Sequence, residues 1–366
     1  MKIDKNFHTK IKHINLKINN NLNNNISSIL LVYFFLILFC PSLSKETNLY
    51  VLSNEIIIKI KGTGNQRIID GRVQDPSQIY LNNESQSDMH TIYNLEEEPN
   101  EIRIVWNSPI ESCNFMFYDF SNIIEVDLSK FDASQVTEMS NMFKGCTSLT
   151  SINFNISNTS SVTDLSYMFY GCTSLKELDL SYFDSSSVTN MEQTFFECKS
   201  LLSLNLDNFN SSSVTNFHQT FFGLHSLKSL DLSHFDTSSA IDMFQMFLNC
   251  YELEYLDLSN FKTSNVSNMH EMFLSCGALK SVNISSFDTS KVTDMNRIFY
   301  NCTSLEYLDL SNFNTSQLEN MEQMFSECQS LKYLDISNFN TSKVQTMNEM
   351  FYNCNSLILI TYLSIR

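Results

Sequence analysis

The sequence predicts an α/β solenoid of about ten 26-residue strand–helix coils, with a parallel sheet on the concave face and an N-terminal β-hairpin as cap. Three observations predict it. A Phe column recurs every 26 residues from Phe117 to Phe351. Inside each period an apolar/polar alternation gives way to apolar residues spaced three and four apart. Ahead of the repeat lies a stretch that reads as extended segments around a Gly turn.

At the N-terminus, residues 1–28 carry Lys2, Lys5, Lys10, Lys12 and Lys17 against Asp4 alone. The apolar run Ile29 to Cys40 follows, then Pro41-Ser42-Leu43-Ser44. As a helix that run spans about 18 Å, short of the ~30 Å hydrocarbon core of a bilayer. A basic region, a short apolar segment and small residues form a secretory signal over residues 1–44, with cleavage after Ser44. The long basic region keeps an uncleaved, membrane-associated signal-anchor as the alternative. Either way the expected location is extracellular or at the cell surface.

Residues 45–100 form the expected β cap region. Glu55-Ile-Ile-Ile-Lys-Ile60, a turn at Lys61-Gly-Thr-Gly-Asn65, and Arg67-Ile-Ile69 read as a hairpin that covers the first coil. An acidic run, Glu96-Glu97-Glu98-Pro99, marks the junction with the repeat.

Residues 101–366 are the expected solenoid. Besides the Phe column, Val136, Val162, Val188 and Val214 keep the same beat, as do Leu149, Leu175, Leu201 and Leu227. In one unit, Leu308-Asp309-Leu310-Ser311 alternates as a half-buried strand does. Leu318, Met321, Met324, Phe325 and Cys328 then step by three or four, one face of a short helix. The Thr-Ser pair ahead of this run is placed to cap that helix. A single coil has about eight inward apolar residues, each worth about 1.5–3 kcal/mol when fully buried. That is of the order of the ordering entropy of its residues, so coils must stack to cover one another's flat sides. Stacked strands make a parallel sheet at about 4.8 Å per coil.

Motifs such as Phe287-Asp-Thr-Ser-Lys-Val-Thr-Asp-Met295 and Met272-Phe-Leu-Ser-Cys276 resemble the bacterial-surface-protein repeat of BspA-like leucine-rich-repeat surface proteins, a mycoplasma-lipoprotein type repeat. The strand part resembles a leucine-rich repeat with Phe, as at Phe313, where Asn or Cys is usual. The resemblance covers residues 101–366. It implies a leucine-rich-repeat-like solenoid and a surface or secreted protein linked to adhesion.

Composition narrows the function. The chain has 366 residues, a formal charge of −17 and 43% hydrophobic content, so it folds and it does not present a basic footprint for nucleic acid. Only 7 Gly and 4 Pro disfavour Gly-rich phosphate loops. Removal of the signal deepens the charge to −21. His90, His218, His225, His234 and His270 lack metal-ligand spacing, Gly62-Thr-Gly64 is a turn, and no Gly-x-Ser-x-Gly elbow exists. No cofactor, metal or catalytic residue is expected, and the chain reads as a non-enzyme.

The candidate binding residues are columns. Asp127, Asp179, Asp231, Asp257, Asp309 and Asp335 are expected in one outward row of the sheet, with Asn153, Asn205 and Asn283 between them. Like charges at that spacing repel, which suits a basic partner or a cation; the same residues also suit turns on a solvated face. Tyr255, Tyr307 and Tyr333 run beside them and suit contact with protein or carbohydrate. Sequons place N-glycosylation candidates at Asn83, Asn155, Asn158, Asn265 and Asn314. Cys146, Cys172, Cys198, Cys250, Cys276, Cys302, Cys328 and Cys354 share one inward column, expected as a buried thiol ladder, with disulfides the alternative. The expected function is recognition of a protein or glycan at a cell surface through the concave face. The alternative is a structural coat that self-associates through the uncapped C-terminal edge.

Overall fold

The residues predicted as helix do not coil on themselves; they reach across to the next repeat. The computed structural model describes residues 54–156 and 158–362. From Met295 to Cys302 the amides alternate between two kinds of partner. Those of Arg297, Phe299 and Asn301 donate to the carbonyls of Glu322, Met324 and Ser326 at 2.8–3.1 Å, one coil on. Those of Ile298, Tyr300 and Cys302 donate three residues back, to Met295, Arg297 and Phe299, at 3.0–3.3 Å. Arg297 and Asn301 supply the reversal with left-handed φ of 54° and 57°. An α-helix bonds every amide four residues back at negative φ, and two left-handed residues four apart forbid that.

The predicted α/β strand–helix coil is thereby corrected. Among the described residues there is no helix, and the repeats form a β-solenoid of about nine turns. The apolar spacing was right about what faces inward: Met295, Phe299 and Cys302 are fully buried. It was misleading about the backbone, because successive tight turns also bring positions three and four apart to one side. Coil spacing gives the physical reason a helix does not fit. Stacked rings of the Phe column lie 5.3–6.0 Å apart from Phe117 to Phe351. Helices need about 8–10 Å between axes. Beside the strands the corresponding rings of Phe183, Phe209, Phe235, and of Phe261 and Phe287, lie 5.9–6.4 Å apart. The side that carries the short parallel strands is the strand face.

The strands are short. β7 (Ile123–Asp127) pairs in parallel with β8 (Ser151–Asn153), β9 (Glu177–Asp179) with β10 (Ser203–Asn205), β11 (Tyr255–Asp257) with β12 (Ser281–Asn283), and β13 (Tyr333–Ile336) with β14 (Leu359–Tyr362), the partners of each pair one repeat apart. Single bridges such as Tyr307↔Tyr333 continue the line, and a second line of bridges runs through Glu138, Asp164, Asn190 and Asn216.

Ahead of the repeats, β1 (Asn54–Ile60) lies between β6 (Asn100–Trp106) and the first coil strand β7, antiparallel to both. β2 (Gly64–Arg67) pairs with β5 (Ile92–Leu95), not with β1, so the predicted hairpin cap is also corrected. The reason is that both edges of β1 are already hydrogen-bonded, to β6 and to β7, which leaves none for β2. β3 (Gln78–Leu81) flanks β6 and turns into β4 (Glu84–Ser85) through Asn82 and Asn83, both at positive φ. Trp106 closes this layer, its indole N–H donating to the Gln74 carbonyl at 3.0 Å. Buried Glu55 takes Lys130 at 2.7 Å and Arg103 at 3.4 Å, tying β1 to β6 and to the first coil.

The left-handed positions give a test. Asn249, at φ 61°, occupies the column that holds Gly145, Gly171 and Gly223. Asn249→Gly is expected to hold or raise stability, and Asn249→Val to lower it by about 1–2 kcal/mol, in chemical denaturation. A helix would reverse the order, because Gly is the poorer helix former of the two.

Candidate functional site

The strand face is built by a two-out, one-in rule. In β13, Tyr333 and Asp335 stand outward on either side of buried Leu334. Repetition makes two outward rows. One holds Tyr255, Ser281, Tyr307 and Tyr333; the other holds the predicted Asp column.

Every Asp of that column does the same local work. Oδ1 of Asp127, Asp179, Asp231, Asp257, Asp309 and Asp335 accepts the backbone N–H of the Ser two residues on, at 2.9–3.0 Å. These Asx turns end each strand and swing the chain into the next corner. The same N–H favours the charged carboxylate, and it holds Asp231, Asp309 and Asp335 below the usual carboxylate range. Asn153, Asn205 and Asn283 make the same turn, and Asn153 also donates to Asp127 at 2.9 Å. Among the described residues no salt bridge reaches the six carboxylates.

Tyr255, Tyr307 and Tyr333 are 58%, 59% and 52% exposed. Tyr307 and Tyr333, with Asp309, Asp335 and Leu359, line a shallow groove of about 220 Å³. Along the adjacent row, Lys280 pairs with Glu254 at 2.7 Å and Lys332 with Glu306 at 2.9 Å. Lys280 Nζ also sits 5.4 Å from the Tyr255 ring centre. Toward the cap, a wider groove of about 500 Å³ is lined by Ile57, Lys59, Glu125 and Asp127, with Lys59 and Glu125 paired at 2.6 Å.

The sequon asparagines Asn83, Asn155, Asn158, Asn265 and Asn314 are all exposed. Asn83 sits in the β3–β4 turn, and Asn158 donates to Asp132 at 3.2 Å. Ser157 and the predicted signal lie outside the described residues. The cysteines of the described residues are free thiols. From Cys146 to Cys354 each column thiol donates to a Phe carbonyl of the preceding coil at 3.0–3.2 Å. Burial pushes the Cys198 and Cys302 thiols up to about 12, so they are poor nucleophiles. Among the described residues no group of three or more His, Cys, Asp or Glu is placed to hold a metal ion.

Sequence reasoning missed a second patterned surface, the outward side of the tight turns. Tyr170, Phe196 and Phe222 stack at 4.5 and 4.3 Å. Gln193, Gln219 and Gln245 form an amide ladder from coil to coil. His218, Phe244 and His270 form a third row, at 4.9 and 5.4 Å between rings. His270 Nδ1 lies 3.6 Å from Asp294 and Nε2 lies 3.1 Å from Glu271. The Asp294 and Glu271 hydrogen bonds raise His270 to about 9 against the loss from burial, and Asp242 raises His218 likewise. A signal was present: aromatics stand directly after the core Phe at Phe196 and Phe222.

Four overlapping stretches, residues 87–204, 111–228, 194–281 and 275–359, match the family model described as Mycoplasma protein of unknown function, DUF285. Overlap of this kind is what a repeat gives when its model fits in successive registers. No curated protein matches the chain.

His270 sets the expected pH response of the turn surface. Its pKa is raised on folding, so its charge stabilises fully below about 6.5 and the benefit fades as pH rises through about 9. The melting temperature of the native protein is expected to fall over that window more than that of His270→Gln, read by parallel thermal scans.

Proposed function

The chain belongs to the family described as Mycoplasma protein of unknown function, DUF285, and from that premise we propose a non-enzymatic recognition protein, secreted or displayed at a cell surface, that binds a protein or glycan through its strand face. The observation that carries this reading is the groove between Tyr307 and Tyr333, two aromatic side chains more than half exposed on bridged neighbouring coils. Aromatics held out on regular backbone provide contact area at low entropy cost. The resemblance to BspA-like surface proteins and the basic–apolar N-terminus support the surface location. The exposed sequons Asn265 and Asn314 suit the same location where the host glycosylates.

A second reading, a self-associating coat, draws on exposed apolar side chains: Ile358, Leu359 and Tyr352 are 73%, 56% and 54% exposed. Both readings are tested with the same preparation. Replacing Tyr255, Tyr307 and Tyr333 by Ala is expected to abolish binding to the partner surface while the melting transition stays in place; undiminished binding removes the strand-face reading. Sedimentation is expected to show monomers, whereas oligomers dissolved by Leu359→Lys would favour the coat.

A further inference from the structure

Resting on the strand-face reading above, we infer that the partner presents a basic polypeptide segment, whose Lys or Arg side chains pair with the Asp row and lie against the Tyr row. Among the described residues no salt bridge reaches the carboxylates of this surface. Asp231 and Asp257 are neighbours in adjacent coils, as are Asp309 and Asp335, and coils repeat at about 4.8 Å. At that spacing like charges repel, and a cation laid between them relieves both. Among the described residues no lysine forms a salt bridge with the Asp row, and in the next row Lys280 and Lys332 are held by Glu254 and Glu306.

The tyrosines show the mode of contact. Lys280 already places its ammonium over the Tyr255 ring at 5.4 Å. That arrangement is a cation–π contact, attracted by the negative face of the ring. Tyr307 and Tyr333 present similarly exposed rings, and among the described residues no cation stands over them. Each has an ionised Asp two residues on, in Asp309 and Asp335. A guanidinium or ammonium entering the groove meets a ring and a carboxylate together. An uncharged glycan would use the rings and leave the row of carboxylates unrelieved, so the observations favour the basic segment.

The test uses the full chain and a fluorescent short peptide of alternating Arg and Ser, with alternating Glu and Ser as control, read by anisotropy. Asp309→Asn with Asp335→Asn keeps the Asx turns, as Asn205 and Asn283 show. This pair is expected to weaken Arg-Ser binding about fivefold, the loss of two exposed ion pairs. Glu252→Gln with Glu319→Gln removes the same charge elsewhere and is expected to leave it nearly unchanged. No binding of the Arg-Ser peptide, or equal weakening by both pairs, overturns the inference. Chitooligosaccharide binding that Tyr307→Ala and Tyr333→Ala abolish, with peptide binding indifferent to the Asp pair, keeps the strand-face reading and overturns the basic partner.

Discussion

Amide-to-carbonyl bonds that span one repeat hold the molecule together, and nearly everything else depends on them. Phe299 donates to Met324 just as Phe273 donates to Ile298. These bonds fix the separation of successive coils at strand spacing on the turn side as well as the sheet side. Once that separation is fixed, each side chain meets its own counterpart one coil away. Rings stack on rings, thiols meet the carbonyl of the preceding coil, and glutamines join into a ladder. A row of like charges is the unfavourable product of the same rule, and it survives only at the surface. Insertion of a single residue would shift every column beyond it, which explains why the period runs from Phe117 to Phe351 without a break.

Much of this was legible in the sequence, and the errors have one cause. The period, the buried columns and the outward Asp row follow from spacing alone. The backbone between Met295 and Cys302 does not, because apolar residues at steps of three and four suit either a helix or a chain of tight turns. A partial signal was Gly145, Gly171 and Gly223 in one column, directly before the position that closes the predicted helix, where a helix end would also accept Gly. All three sit at φ of 69–76°. A Cβ on Gly145 would run into the Asp119 side chain, so that glycine answers a close approach as well as a dihedral. Where Gln, Glu, Asn or Arg holds a left-handed position instead, the hydrogen-bond ladder between coils compensates the strain and the sequence gives no sign of it. The hairpin failed for a similar reason: adjacency along the chain suggested β2 as the partner of β1, but both edges of β1 are taken by β6 and β7, strands from elsewhere.

The candidate site follows from the regularity by exception. A template repeated coil after coil carries information only where a column varies. In the outward row, Ser203, Ser229 and Ser281 are the plain state, and Tyr255, Tyr307 and Tyr333 depart from it. The Asp column varies little because it is turning the chain, so its charge is inherited from a structural duty and is available to a partner at no cost in folding. The turn surface varies more, and its His–Phe–His row with flanking carboxylates is as distinctive as the strand face. What separates the two is compensation: His270 already has Asp294 and Glu271, whereas no salt bridge reaches the Asp row among the described residues.

The central claim concerns the backbone, and the most direct measurement is a hydrogen-bond scalar coupling in a deuterated, isotope-labelled sample. The account predicts coupling between the amide nitrogen of Phe299 and the carbonyl carbon of Met324, and between those of Phe273 and Ile298. Coupling from Phe299 to Met295 instead, four residues back, would mean that the coils contain helices and would contradict the account.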